Sequence, residues 1–169
     1  MKIVINDANI LIDLVKLKLL QQFAQLPFQL YTTDVVYEEI KDHQKEPIKA
    51  LYKQGLLYII EIEESSNDYD GIFELLIKSN GLSFEDCSVL YYSKKMEGTL
   101  LTGDGKLRKF ASKDNVEVRG VIYIFDELLD HGLLDYETAF YKIKELCKTN
   151  NRLPKKQIES RIKLWESKI

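Results

Sequence analysis

The sequence has few of the residues that mark disulfide-stapled, membrane-embedded or low-complexity chains. Its 169 residues include two cysteines, three prolines and eight glycines. No apolar run reaches the roughly 18 residues that a membrane-spanning helix requires, and no internal repeat is present. Cys87 and Cys147 lack the spacing of a zinc site, so we expect two buried thiols and no disulfide. The sequence therefore excludes a disulfide scaffold, a structural zinc site and a transmembrane protein.

What is present has the composition of one globular domain, with 45% apolar and 30% charged residues. Met1 to Ile5 lead into a strand rather than a signal sequence, and we expect a cytoplasmic protein. The net charge of −3 is uneven, because nine Lys and Arg face three Glu between Lys142 and Ile169. Such a basic segment favours contact with a polyanion or an acidic partner, and it is also typical of a solvated helical face.

Strand patterns alternate with helix patterns along the whole chain. Short apolar runs predict strands at 2–6, 28–32, 56–62, 99–102 and 116–118. Helical periodicity and capping residues predict helices starting at 8 and 105 and spanning 35–43, 47–53, 69–78, 83–96, 121–129, 136–149 and 154–168. This alternation indicates an α/β fold with a mainly parallel central sheet flanked by helices. We expect a body over residues 1–132 and a C-terminal helical hairpin over 133–169, packed on the same domain.

Four carboxylates fall beside predicted junctions between a strand or turn and a helix. Asp7 and Asp104 follow strands, Asp86 lies in the first turn of a helix, and Glu39 lies in the helix after the second strand. Ligands of open α/β sheets bind outside the carboxyl ends of the strands, so these acids can share one cleft. Adjacent helical residues point about 100° apart, and we favour Glu39 over Glu38 for the cleft.

Each acid also has a local explanation. Asp7 and Asp104 are suitable N-caps for the helices that follow them, and Glu39 could simply be solvated. Ser83 with Asp86 three residues later resembles a capping box. For each acid taken alone, capping or solvation is the more economical interpretation.

Taken together, the acids indicate a metal site, because clustered carboxylates repel one another unless a cation is present. Carboxylate oxygens suit Mg²⁺ or Mn²⁺, and we expect Asp7, Asp86 and Asp104 to be the ligands. Asn9 and Thr102 are polar residues that could orient these ligands, or they could be ordinary turn residues.

Three segments, VINDANILIDL, TTDVVYEEI and LSFEDCSVLYYSKKMEGTLLTGDGKLRKF, together resemble the PIN-domain ribonucleases, including VapC-type toxins of toxin–antitoxin pairs. The resemblance covers roughly residues 3–125 and includes the contexts of all four acids. It implies a PIN-like three-layer fold and a metal-dependent endoribonuclease that hydrolyses RNA phosphodiester bonds with Mg²⁺ or Mn²⁺. Under it, Glu39 is a ligand or a base that positions water. An antitoxin protein and a second copy of the chain are the partners that the resemblance implies, besides RNA.

Weaker expectations concern the residues that contact substrate and the competing functions. Lys106 and Arg108 follow Asp104 and could contact phosphates, although a surface helix face explains them equally well. A catalytically weak PIN-like module that binds RNA or protein is the alternative function. A phosphohydrolase of the haloacid dehalogenase type is disfavoured, because that chemistry needs an acid two residues after its nucleophile and Asn9 stands there.

Overall fold

A computed structural model describes all residues, 1–169. The chain forms five strands: Lys2–Asn6 (β1), Phe28–Thr33 (β2), Leu57–Ile60 (β3), Thr99–Leu101 (β4) and Val118–Arg119 (β5). They make one sheet in the order β3-β2-β1-β4-β5, and every pairing is parallel. The central position of β1 explains its apolar run, since Val4 and Ile5 are fully buried. The predicted α/β fold with a parallel sheet is confirmed.

Ten helices accompany the sheet. They are Ala8–Lys16 (α1), Leu20–Phe23 (α2), Asp34–Glu39 (α3), Asp42–Lys53 (α4), Asn67–Ser79 (α5), Phe84–Lys95 (α6), Gly105–Lys113 (α7), Val121–Asp130 (α8), Tyr136–Thr149 (α9) and Lys155–Glu166 (α10). Helix α6 packs on β1, β2 and β4, with α5 and α7 against it. Helices α1, α2 and α4 contact one another, and α8 contacts α2.

The chain reverses its direction across the sheet at one place. It moves from β1 through β2 to β3, and then returns to β4 on the other side of β1. Right-handed crossovers put the helices before and after this reversal on opposite faces. The reversal leaves a crevice between the carboxyl ends of β1 and β4, where open α/β sheets bind their ligands.

Two helices differ from the sequence prediction. The predicted helix over 35–43 is split, because α3 ends at Glu39 and α4 begins at Asp42. Ile40 between them is extended and 2% exposed, so burying its side chain coincides with the break. Pro47 does not begin a helix but lies inside α4, on the exposed side. Glu39 is consequently the last residue of a short helix rather than the middle of a long one.

The two terminal helices pack on each other and on α8. The Trp165 ring of α10 stacks on Phe125 of α8 with centroids 5.6 Å apart. The expectation of two buried thiols is wrong for one of them: Cys87 is buried, but Cys147 is exposed. Leu146 is the residue of that turn of α9 that faces the body, and Cys147 lies about 100° further round the helix. No helix of the chain combines the length and the apolar character needed to span a bilayer.

Candidate active site

The crevice between β1 and β4 carries two carboxylates. Asp7 follows β1 and is the N-cap of α1, while Asp104 follows β4 and is the N-cap of α7. The backbone N–H of Asp7 donates to the carbonyl oxygen of Leu101 at 3.0 Å, which joins the two strand ends. Both predicted caps are therefore real, and both caps lie at the ligand-binding position of the fold.

Three donors hold the Asp7 carboxylate, which is only 4% exposed. Its Oδ1 accepts the N–H of Ala8 at 2.8 Å, and its Oδ2 accepts Asn9 Nδ2 at 2.8 Å and Thr102 Oγ1 at 2.6 Å. Asn9 Oδ1 in turn accepts the N–H of Gly103 at 2.9 Å. A carboxylate offers about four lone-pair directions, so about one remains on Asp7.

Thr102 connects the two strand-end acids. Its hydroxyl donates to Asp7 and accepts the N–H of Asp104 at 3.1 Å. Asp104 Oδ1 accepts the N–H of Leu107 at 2.8 Å, as an N-cap does. The other oxygen of Asp104, Oδ2, lies 3.9 Å from the guanidinium of Arg152. Asn9 and Thr102 thus both contact Asp7, one of the predicted site acids.

Asp86 belongs to the first turn of α6, the helix that packs on β1, β2 and β4. It forms the predicted capping box, because its Oδ2 accepts the N–H of Ser83 at 3.0 Å and its own N–H donates to Ser83 Oγ at 3.0 Å. Its Oδ1 accepts no hydrogen bond from the chain. The hydroxyls of Ser88 and Thr33 lie 2.8 Å apart and tie α6 to the end of β2. Capping therefore fixes Asp86 and leaves one of its oxygens free.

Glu39 ends α3 and is exposed as a whole residue, but its carboxyl group is partly shielded from water. This desolvation and, after it, the charges of Glu85, Asp7 and Asp86 raise its pKa to about 7. Glu85 precedes Asp86 in α6 and is not among the acids predicted from the sequence, because two acids at a helix start are explained by the helix dipole alone. Its position next to Asp86 is the signal that could have identified it.

Electrostatics link Asp7 to the same group of acids. Burial raises the pKa of Asp7 to about 6, against the hydrogen bonds from Thr102 and Ala8, and the charges of Asp86 and Asp104 raise it further. No Lys or Arg is among the groups that set the pKa of Asp7 or Glu39. We refer to Asp7, Glu39, Asp86 and Asp104 as the acid cluster; it has no cation that balances its most deeply buried member.

A cleft of about 900 Å³ opens beside the acid cluster. Asp86 and Asp104 line it, whereas Glu39 and the buried Asp7 do not. The same cleft is also lined by five basic side chains: Lys106, Arg108, Arg119, Arg152 and Arg161. A cleft with acids and bases in its walls can hold a cation and a phosphate ester side by side.

The two predicted phosphate contacts differ in how free they are. Lys106 is exposed in the first turn of α7 and has no hydrogen-bond partner. Arg108 Nη1 donates to the carbonyl oxygen of Thr102 at 3.0 Å, which supports the turn that carries Asp104. Lys106 is therefore free to contact a substrate, whereas Arg108 also stabilises the turn that carries Asp104.

The donor chemistry of the acid cluster suits a divalent ion, although no three His, Cys, Asp or Glu side chains are arranged to hold one directly. Asp7, Asp86 and Asp104 each keep carboxylate lone pairs that no protein donor uses. Mg²⁺ keeps several waters and binds proteins through one or two carboxylates. An ion held partly through water is compatible with this arrangement.

Comparison with known proteins gives one family and several structural relatives. The family model described as PIN domain matches residues 3–167. The chain is similar to a structure of VapBC2 from Rickettsia felis bound to a DNA fragment from the promoter, at 15% identity over 70% of this chain and 98% of that chain, with a TM-score of 0.48. It is also similar to VapBC-1 from nontypeable Haemophilus influenzae, at 14% identity over 70% of this chain and 97% of that chain, with a TM-score of 0.46. No curated protein matches the sequence significantly.

Proposed function

The chain belongs to the PIN-domain family, whose model spans residues 3–167, and on that premise we propose that it is a metal-dependent endoribonuclease that hydrolyses RNA phosphodiester bonds. The observation that carries the proposal is the acid cluster at the point where the strand order reverses. Burial and, after it, mutual repulsion raise the pKa of Asp7 and of Glu39. Perturbed carboxylates beside a cleft are the pattern expected of a functional site.

Each acid has a role in the proposed reaction. Asp7, Asp86 and Asp104 would hold Mg²⁺ or Mn²⁺, with Asn9 and Thr102 fixing the orientation of Asp7 through their hydrogen bonds. A divalent ion bound there supplies Lewis-acid stabilisation of the negative charge on the phosphate oxygens.

Glu39 is the proposed general base. A carboxylate with a pKa of about 7 can accept a proton from the attacking water near neutral pH, and it can release that proton again. Lys106 and Arg108 line the cleft on the Asp104 side and would contact the phosphates. The chain needs no covalent nucleophile for this chemistry.

Cleavage of a fluorescein-labelled single-stranded RNA with Mn²⁺ tests the proposal. We expect Asp86→Asn to lose cleavage, while the control Asp70→Asn, at an exposed acid in the first turn of α5, keeps it. Chelation with EDTA should stop the wild type. Equal cleavage by Asp86→Asn and the wild type would overturn the assignment of the site.

A second candidate function is an RNA- or protein-binding module without cleavage. It is favoured by one observation: Asp7 and Asp104 are N-caps and Asp86 completes a capping box, so capping alone accounts for their presence. Under this function the wild type would bind the labelled RNA equally well with and without EDTA. It would also leave that RNA intact at every Mn²⁺ and Mg²⁺ concentration.

The family resemblance supplies the partners of the proposal, which are an antitoxin protein and a second copy of the chain, both in the cytoplasm. Co-purification with the product of a neighbouring gene, and loss of RNA cleavage in that complex, would support a toxin role. Light scattering of the purified chain measures whether it forms a dimer.

We also propose that residues 133–169 extend the nuclease body of residues 1–132 rather than form a separate domain. Packing of α9 on α8 and the stacking of Trp165 on Phe125 support this arrangement. Limited proteolysis should leave the two parts together.

A further inference from the structure

The segment between α9 and α10 reaches the cleft beside the acid cluster. Asn150, Arg152 and Leu153 of this segment line the cleft together with Asp86 and Asp104. The sequence left two interpretations of the basic C-terminal segment open, contact with a polyanion or acidic partner and a solvated helical face. Of its nine basic residues, Arg152 and Arg161 line the cleft.

The segment is held firmly at its backbone. Asn150 Nδ2 donates to Asp13 Oδ2 of α1 at 2.8 Å, and Asp13 is 7% exposed. The backbone N–H of Arg152 donates to Asn150 Oδ1 at 3.0 Å. Arg161 of α10 forms a two-point ion pair with Asp126 of α8, at 2.9 and 2.8 Å. The chain therefore fixes the position from which Arg152 projects.

The guanidinium of Arg152 is much less constrained than its backbone. Its side chain is 72% exposed and makes no hydrogen bond, and Asp104 Oδ2 lies 3.9 Å away. By contrast, Arg161 is paired with Asp126, and Arg108 donates to a carbonyl oxygen. A guanidinium carries five N–H donors in a fork that matches a phosphate. Arg152 is thus a cation with unused donors next to a carboxylate of the acid cluster.

We propose that Arg152 binds a phosphate of the RNA backbone next to the bond that is cleaved, so that the C-terminal hairpin supplies part of the substrate site. This inference rests on the proposed ribonuclease function. A polyanion that approaches the acid cluster meets repulsion from four carboxylates, and a positive charge beside Asp104 reduces that repulsion where the backbone must pass. The fixed loop holds the charge in place, and the free guanidinium adapts to the phosphate.

Salt dependence of RNA binding tests the inference without requiring cleavage. The probe is a fluorescein-labelled single-stranded RNA of about 20 nucleotides, measured by fluorescence anisotropy in EDTA at several salt concentrations. Each phosphate contact on single-stranded nucleic acid adds about 0.7 to the slope of log K against log salt. We expect Arg152→Ala to reduce that slope by about 0.7 and to weaken binding several-fold, and Arg152→Lys to keep most of the slope.

Lys156→Ala is the matched control, because Lys156 is an exposed cation four residues along that does not line the cleft. It should leave the slope unchanged. In cleavage assays with Mn²⁺, Arg152→Ala should raise KM and leave kcat near the wild-type value, since the contact is made in the bound ground state.

The outcomes separate this inference from the proposed function. A wild type that binds but does not cleave, together with a reduced slope for Arg152→Ala, would support the phosphate contact and contradict the nuclease. If Arg152→Ala leaves the slope unchanged and only lowers the melting temperature, Arg152 is no more than an ion-pair partner of Asp104. That result would overturn the inference. A wild type that does not bind the RNA at 50 mM salt, or equal losses for Arg152→Ala and Lys156→Ala, would overturn it as well.

Discussion

Two aspartates of this protein accept hydrogen bonds from three donor groups each, yet their pKa values shift in opposite directions. Asp68 of α5 accepts the hydroxyls of Tyr91 and Tyr92, both at 2.8 Å, and the ammonium of Lys95 at 2.6 and 2.9 Å. Hydrogen bonding to Lys95 is the largest cause that holds the pKa of Asp68 below its ordinary value. For Asp7, burial and neighbouring acids raise the pKa to about 6.

The two aspartates differ in whether a basic side chain lies beside them. Lys95 supplies Asp68 with a cation from its own chain, so the charge of Asp68 is offset within the fold. Asp7 has hydrogen bonds of similar number and length, but its charged neighbours are carboxylates. Burial is the largest cause of the raised pKa of Asp7, and the hydrogen bonds from Thr102 and Ala8 offset it only in part. In the proposed function, a divalent ion supplies the positive charge that Asp7 does not receive from the chain.

The largest expected effect is on RNA cleavage. Asp7→Asn should lower the cleavage rate by about 100- to 1,000-fold, the range for removing one electrostatic stabiliser of a transition state. Asp68→Asn makes the same chemical change at a site that already has a cation, and it should keep near-wild-type cleavage. Single-turnover assays with Mn²⁺ measure both rates. Equal losses in the two variants would contradict the distinction between the two aspartates.

The second effect concerns stability in EDTA. The pKa of Asp7 in the folded protein, about 6, lies above its ordinary value of 3.8. The stability that Asp7 contributes is therefore full below pH 3.8 and is lost as the pH rises through about 6. Asn at this position does not titrate, so the stability of Asp7→Asn relative to the wild type should rise by about 2 kcal/mol between pH 4.5 and 8. Urea unfolding at the two pH values measures this change.

Asp68→Asn should behave differently in the same experiment. The pKa of Asp68 is lowered, so the stability it contributes is present above its ordinary value of 3.8 and is lost only as the pH falls further. We expect Asp68→Asn to be less stable than the wild type by a similar amount at pH 4.5 and at pH 8. A gain in relative stability for Asp68→Asn with rising pH would show that the two sites are not electrostatic opposites.

The third effect is stabilisation by the ion itself. A ligand at ten times its Kd stabilises the state that binds it by about 1.4 kcal/mol. Mn²⁺ should therefore raise the melting temperature of the wild type and of Asp68→Asn, and it should not raise that of Asp7→Asn. Thermal unfolding with Mn²⁺ and with EDTA measures the shift. A shift of the same size in Asp7→Asn would place the ion elsewhere.

Local sequence patterns predicted the structure correctly where a residue's neighbours in sequence are also its neighbours in space. The apolar run of β1 and the capping residue Asp7 predict a buried strand followed by a helix, and the structure has both. Ser83 and Asp86 likewise predict their capping box. The break at Ile40 escaped because no glycine or proline marks it, and burial of that side chain is a property of the whole core.

Contacts between residues far apart in sequence are the part of the site that sequence patterns could not predict. The Asn150–Asp13 hydrogen bond spans 137 positions, and nothing in the pattern near either residue indicates the other. The same holds for Arg152 and Asp104, which the fold of α9 and α10 brings together. The strand order that puts β4 beside β1 is also a property of the tertiary structure. The sequence was enough to identify the candidate acids, but only the fold shows which basic residues lie beside them.

The smallest expected effect comes from removing one hydroxyl donor at each aspartate. Thr102→Val removes the 2.6 Å hydrogen bond to Asp7 and the acceptor of the Asp104 N–H, and Tyr92→Phe removes one 2.8 Å hydrogen bond to Asp68. Each hydrogen bond that is lost should lower the free energy of unfolding by about 1 kcal/mol, the usual net value of a hydrogen bond. Urea unfolding measures both losses.

Metal affinity then separates the two hydroxyls. Thr102 orients a proposed ligand, and losing such a partner weakens a metal site by about 10-fold or more. Tyr92 orients a carboxylate that already has Lys95, so Tyr92→Phe should leave the Mn²⁺ affinity unchanged. Calorimetric titration with Mn²⁺ measures the two constants. If both variants bind Mn²⁺ like the wild type, Thr102 only stabilises the fold, and the hydrogen bonds around Asp7 serve the same purpose as those around Asp68.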